Sequence, residues 1–233
     1  MIFINFPFGA GGHKIGRLLA SCNNVPWYDH EPNGKEPWMP YIEKDLYGVD
    51  KCFTPYHFNR RFKGANGTGI CDKTIIPILD KSKIDVEEQR TELQKYINKN
   101  ILYPTHSKLS DVRNLIDAKH LVVIPNNVHS VVQRFLKTTL FYYVDPSNKS
   151  RTFKDMYEEI EKETGFPVIH LVRTDIQNKI ADSISAINSS DVVVNSVEDL
   201  YEEHQFKKIC KQLELEYNDS AYKKVRKFCQ EDL

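Results

Sequence analysis

The chain has 233 residues, 40% of them hydrophobic, with 32 basic and 32 acidic side chains and a formal net charge of zero. This length and apolar content suit a single α/β domain over residues 1–233, and the neutral balance excludes a global field that would draw the protein onto nucleic acid or an anionic membrane. Five scattered cysteines without a C-x-x-C pair argue against a disulfide framework and a structural zinc site; with no apolar stretch near the ~20 residues of a bilayer span and no basic segment after Met1, a soluble, cytoplasmic protein is expected.

The first element is the most informative. Ile2-Phe3-Ile4-Asn5-Phe6 is an apolar run, Pro7 to Lys14 is rich in glycine, and Ile15, Leu18, Leu19 and Cys22 recur at helical spacing. The pattern predicts strand, tight turn, helix. Gly9, Ala10, Gly11, Gly12 and His13 let backbone amides approach an anion, the helix start adds partial positive charge, and Lys14 adds a full one. Phosphate is the default ligand, and tight packing is the other use of such glycines. It is not a Walker A loop, because no Gly-Lys-Ser/Thr follows Gly9 at the required step.

Residues 23–73 hold five prolines, five glycines and many aromatics and read as an irregular cap over this turn. Thr74 to Leu79 suits a short strand demoted by Pro77, and Val86 to Ile97 a charged helix. Ile101 to Pro104 is a strand; Leu109, Val112 and Ile116 mark a helix; Leu121 to Ile124 is a strand; Val128, Val131, Val132 and Phe135 continue as a helix. Another helix carries Phe153, Met156, Tyr157 and Ile160. Val168 to Val172 reads as a strand leading into a helix with Ile176, Ile180, Ile184 and Ile187. Asp191 to Val194 is the last strand, and two helices close the chain. Strands separated by helices predict an α/β three-layer sandwich with a mostly parallel sheet, and such sheets bind ligands at the carboxyl ends of their strands.

Three of those ends carry chemistry. Thr105-His106-Ser107 places an imidazole after a strand, where it can serve as a general base near neutral pH or cap the next helix. Asn126 and Asn127 follow the Val123-Ile124 strand and precede Arg134, a residue type suited to a two-pronged phosphate contact. Arg173 follows the expected Val168–Val172 strand in the same manner.

With these residues in view, the chain resembles the nucleotide-dependent sulfotransferases, which share a P-loop-like fold. Phe6-Pro7 and the Leu18-Leu19 helix are similar to the family's Y-P-K-S-G-T-T-W frame, although Gly9 to His13 replace its lysine, serine and threonines and Lys14 is displaced. Thr105-His106 matches the end of the family's K-T-H, with Pro104 in place of the lysine. Asn126 stands where the family has an arginine and Arg134 where it has a serine; Val192 to Leu215 resembles its final strand, E-D-L turn and closing helix. The R-K-G-x-x-G loop is absent, and the basic run 223–227 has no glycine. The resemblance implies 3'-phosphoadenosine-5'-phosphosulfate as donor, held by residues 9–14 with Arg134 or Arg173 on the 3'-phosphate. Lys14 would help transfer and His106 would take the proton of an acceptor hydroxyl or amine.

Trp27, Tyr28, Trp38, Tyr41, Tyr47, Tyr56 and Phe58 give the cap an aromatic surface suited to a small-molecule or glycan acceptor, or to packing. The cationic cluster 57–63 is read first as surface, then as a small-anion contact and only last as a nucleic-acid contact. Asp29, His30, Cys52 and His57 lack ligand spacing, so no metal is expected. The alternatives are a phosphotransferase or kinase on a P-loop fold, and a non-catalytic member binding a nucleotide, glycan or protein.

Overall fold

A computed structural model describes residues 1–25, 94, 100, 102–106, 108–138, 140, 143–145 and 148–231. The cap beyond residue 25, the Thr74–Leu79 strand and the Val86–Ile97 helix, apart from helical Gln94, lie outside these residues. Strand β1 (Ile2–Asn5) is buried at all four positions. It pairs in parallel with β2 (Leu102–Thr105) on one side and β3 (Lys119–Val123) on the other. A strand flanked on both sides and covered on both faces needs apolar residues at successive positions, which is why Ile2-Phe3-Ile4 shows no polar alternation. Strand β6 (Val192–Val194) joins β3, giving the order β2-β1-β3-β6 with every pairing parallel. The expected α/β architecture with a parallel sheet is therefore present.

Helix α1 (Gly12–Ala20) buries Ile15, Leu18 and Leu19 completely. Each such side chain contributes about 2 kcal/mol by leaving water. Below it, residues 22–24 clasp the segment around residues 210–216. Cys22 and Cys210 face each other at 3.5 Å between sulfurs, the amide of Asn23 donates to the Glu216 carbonyl at 2.9 Å, and the Asn24 side chain bonds the Glu214 carbonyl at 3.0 Å. Their partners lie on, or just past, α6 (Glu203–Leu213); α7 (Asp219–Glu231) follows and packs on α1. The Cys210 contact and burial push the Cys22 thiol far up, and both cysteines pack as free thiols in the core.

Between β2 and β3 lies α2 (Leu109–Leu115), followed after β3 by α3 (Val128–Thr138). Helix α4 (Phe153–Thr164) starts in a capping box, Thr152 Oγ1 accepting from the Asp155 amide at 3.2 Å while the Asp155 carboxylate accepts from the Thr152 amide at 2.7 Å. One reading needs correction. Val168–Val172 is not a strand: it opens the 19-residue helix α5 (Val168–Ala186). The decisive pattern is the burial of Val172, Ile176 and Ser183 with Ile180 packed beside them, a helical stripe that runs unbroken through the β-branched residues. Gly165 ends α4 in the left-handed conformation and Pro167 caps α5, leaving no length for a strand between the helices. An antiparallel hairpin, β4 (Tyr143–Asp145) with β5 (Asn148–Thr152), adds an element not read from the sequence above, although Tyr-Tyr-Val followed by Asp-Pro-Ser-Asn signals it.

Candidate anion site at the carboxyl edge of the sheet

Parallel pairing brings the β1–α1 turn, His106, the β3–α3 loop and residues 195–199 to one edge. In the turn, the Ala10 amide donates to the Pro7 carbonyl at 3.1 Å, and Ala10 itself is buried. Gly9 and Gly11 adopt φ of 81° and 79°, the left-handed region that glycine enters without strain. The glycines then part ways. A Cβ on Gly9 would lie 2.5 Å from the Val131 carbonyl oxygen, and one on Gly12 would lie 2.2 Å from the Phe6 ring. Those two positions are glycine because α3 and Phe6 fill the space. At Gly11 the nearest atoms would be Arg134 Nη1 and Val197 Cγ1, both at 3.4 Å. Gly11 also caps α1 with no side-chain hydrogen bond and no acidic residue in the first turn, which leaves the positive end of the helix uncompensated by a carboxylate of its own.

Arg134 reaches this spot from the middle of α3. Its guanidinium pairs with Glu198 at 3.9 Å, and both side chains are well exposed, so the pair is weak, about 0–1 kcal/mol. Glu198 opens the 3-10 turn Glu198–Tyr201 after β6 and lines an open groove of about 450 Å³ together with Asn195, His204 and Lys208. Asp199, beside it, is occupied in holding the amides of Asn195 and Ser196 at 2.7 and 3.2 Å.

His106 follows β2 directly and is buried. Its Nδ1 is 3.0 Å from the Phe6 carbonyl oxygen. A carbonyl only accepts, so Nδ1 carries the proton and the lone pair sits on Nε2, the atom able to take a proton. The ring stacks on Phe8 at 3.9 Å between centroids and meets the Phe6 ring edge-on at 4.2 Å. Burial, then the nearby Lys179 ammonium, hold its pKa well below the ordinary histidine value, against the Phe6 hydrogen bond, and the imidazole is neutral at pH 7.

The remaining predicted site residues are placed as follows. Asn126 is exposed in the β3–α3 loop, and its neighbour Asn127 accepts from the Ser130 amide at 3.1 Å, capping α3. His13 lies in the first turn of α1. Lys14 directs its ammonium to the Cys229 carbonyl of α7 at 2.9 Å, which ties helix to helix. Arg173 is exposed within α5 and ends no strand, so the positional ground for giving it the 3'-phosphate falls with that strand.

Two side-chain pairings were not legible as such. Lys179 arrives on α5, 73 residues after His106, and no local pattern links them. Asn5 bonds the buried His120 at 3.0 Å on the sheet face opposite Ile2 and Ile4, with Asn5 Nδ2 and His120 Nε2 lacking partners among the described residues. A polar residue closing an apolar strand was the available signal.

No family model matches the chain, and no curated protein matches it. Among solved structures it is similar to the sulfotransferase domain from the curacin biosynthetic pathway, at 11% sequence identity and a TM-score of 0.48, over 95% of this chain and 76% of that one.

Proposed function

We propose that the chain is a sulfotransferase-like transferase that takes 3'-phosphoadenosine-5'-phosphosulfate as donor and passes sulfate to the hydroxyl or amine of a small-molecule or glycan acceptor. The observation that carries this reading is the junction at Gly11, where the start of α1, with no side-chain cap, and the Arg134 guanidinium meet at the carboxyl edge of a parallel sheet. A helix start and an arginine together suit a phosphate or sulfate group, the one through its amides, the other through paired donors. Arg134 is accordingly preferred to Arg173.

The donor supplies an activated sulfuryl group. Arg134 would neutralise charge on the 3'-phosphate, and the first-turn amides of α1 would orient the oxygens of the 5'-phosphosulfate. His106, neutral with its lone pair on Nε2, would accept the acceptor's proton as the acceptor oxygen or nitrogen bonds to sulfur and the bond to the adenosine bisphosphate breaks. The histidine neighbours the turn through Phe6 and Phe8, which supports its assignment to the same reaction.

Calorimetric titration with adenosine 3',5'-bisphosphate, set beside ATP with magnesium, tests the reading. Binding of the bisphosphate in preference to ATP is expected. Preference for magnesium ATP would favour a phosphotransferase, and binding of neither would remove the nucleotide from the site.

A further inference from the structure

We propose that Lys179 is a positioning residue that fixes the His106 imidazole beside the β1–α1 turn; its use in catalysis rests on His106 being the proton acceptor of the reading above. The lysine touches the histidine by two routes. Its ammonium donates to the His106 backbone carbonyl, and it lies over the Phe8 ring, 4.5 Å from the centroid. That same ring stacks on the imidazole at 3.9 Å, so one cation anchors both the backbone of His106 and the aromatic surface against which its side chain rests.

The cation is itself held in place. Ile176 is buried and Ile180 packs on the core, on either side of Lys179 along α5. The Asp182 carboxylate accepts from the Ser110 amide of α2 at 3.3 Å, and Asp175 accepts from the Tyr157 hydroxyl of α4. These contacts fix the rotation of α5 from both neighbours and thus aim Lys179 at the end of β2. Aromatic rings pack around the imidazole: Phe6 and Phe8 from the turn, with Phe135 of α3 and Phe153 of α4 behind Phe8. A cation here opposes protonation of the ring in the same direction as burial does, while the Phe6 carbonyl holds the Nδ1–H form. The imidazole stays neutral and keeps one orientation.

The test uses the full chain labelled with ¹⁵N-histidine, with long-range proton–nitrogen spectra and the His106 signals assigned by their loss in His106→Gln. In the wild type the Nδ1–H tautomer is expected throughout pH 6 to 8. Lys179→Met should raise the His106 pKa by about one unit, the scale of a removed neighbouring charge, and mix the tautomers. Lys179→Arg, which keeps the charge, should restore both. A Lys179→Met spectrum equal to the wild type overturns the proposal even where bisphosphate binding persists. So does an Nε2–H tautomer in the wild type, a measurement that needs no variant to fold. Intact tautomer control with no nucleotide binding would leave the positioning role standing and overturn the transferase reading instead.

Discussion

The β1–α1 turn has two sides built for different ends. Toward the interior, Gly9 and Gly12 are small because Val131, Phe135 and Phe6 already occupy the space; toward the outer edge, Gly11 stands at contact distance from Val197 and the Arg134 guanidinium. A run of glycines therefore does not act as one motif. Their shared identity conceals a packing requirement at two positions and a left-handed turn beside a cation at the third. The buried histidines divide likewise: His120 lies inside the sheet bonded to Asn5, whereas His106 lies at a strand end against the turn. Burial depresses both, so a depressed histidine does not by itself mark a site.

The largest effect should come from the packed side. Gly9→Ala forces a methyl into the Val131 carbonyl and a side chain into left-handed backbone, and a loss of about 3 kcal/mol or more in urea unfolding is expected. A Gly9→Ala protein of wild-type stability would erase the distinction between the two sides.

The second concerns His120, whose pKa burial lowers to about 4. The unfolded chain binds this proton near pH 6.5 and the folded chain does not, so the contribution is fully present above about 6.5 and is lost as pH falls toward 4. About 3 kcal/mol is involved. His106 adds a loss of the same sign, and His120→Gln should flatten only its own share of the slope in denaturation curves taken from pH 7 to 4.

On the open side, Arg134→Ala should weaken binding of adenosine 3',5'-bisphosphate by about 1.5–3 kcal/mol, the scale of a hydrogen bond to a charged group, with little loss of fold stability. Equal losses for a ligand lacking the 3'-phosphate would move Arg134 from that group to another part of the nucleotide. The smallest effect belongs to Arg173→Ala, an exposed helical position, where unfolding and binding should both stay within about 0.5 kcal/mol of wild type.

The four parallel strands were legible because each is a compact apolar run closed by a breaker or polar residue, as Val123-Ile124 is by Pro125 and Asn126. Val168–Val172 misled because five residues rich in branched side chains satisfy strand and helix alike, and only the spacing that continues to Ile176 and Ser183 decides. That Arg134 lies on the helix after β3 was legible from the order of elements. The surroundings of His106 were not, since its partners come from the turn 100 residues earlier and from α5. Distant contacts leave no periodicity behind.

The clasp between residues 22–24 and the segment around α6 has a consequence for synthesis. Leaving the ribosome, residues 1–25 present Ile15, Leu18, Leu19 and Cys22 long before α6 and α7 exist, and Cys22 meets a sulfur 188 positions downstream. The strands that flank β1 come from residues 102–105 and 119–123, so the glycine turn has neither walls nor floor until those residues have been made. Folding can begin in the helices, whose contacts are local, whereas the turn gains its flanking strands only through pairings about 100 residues apart in sequence.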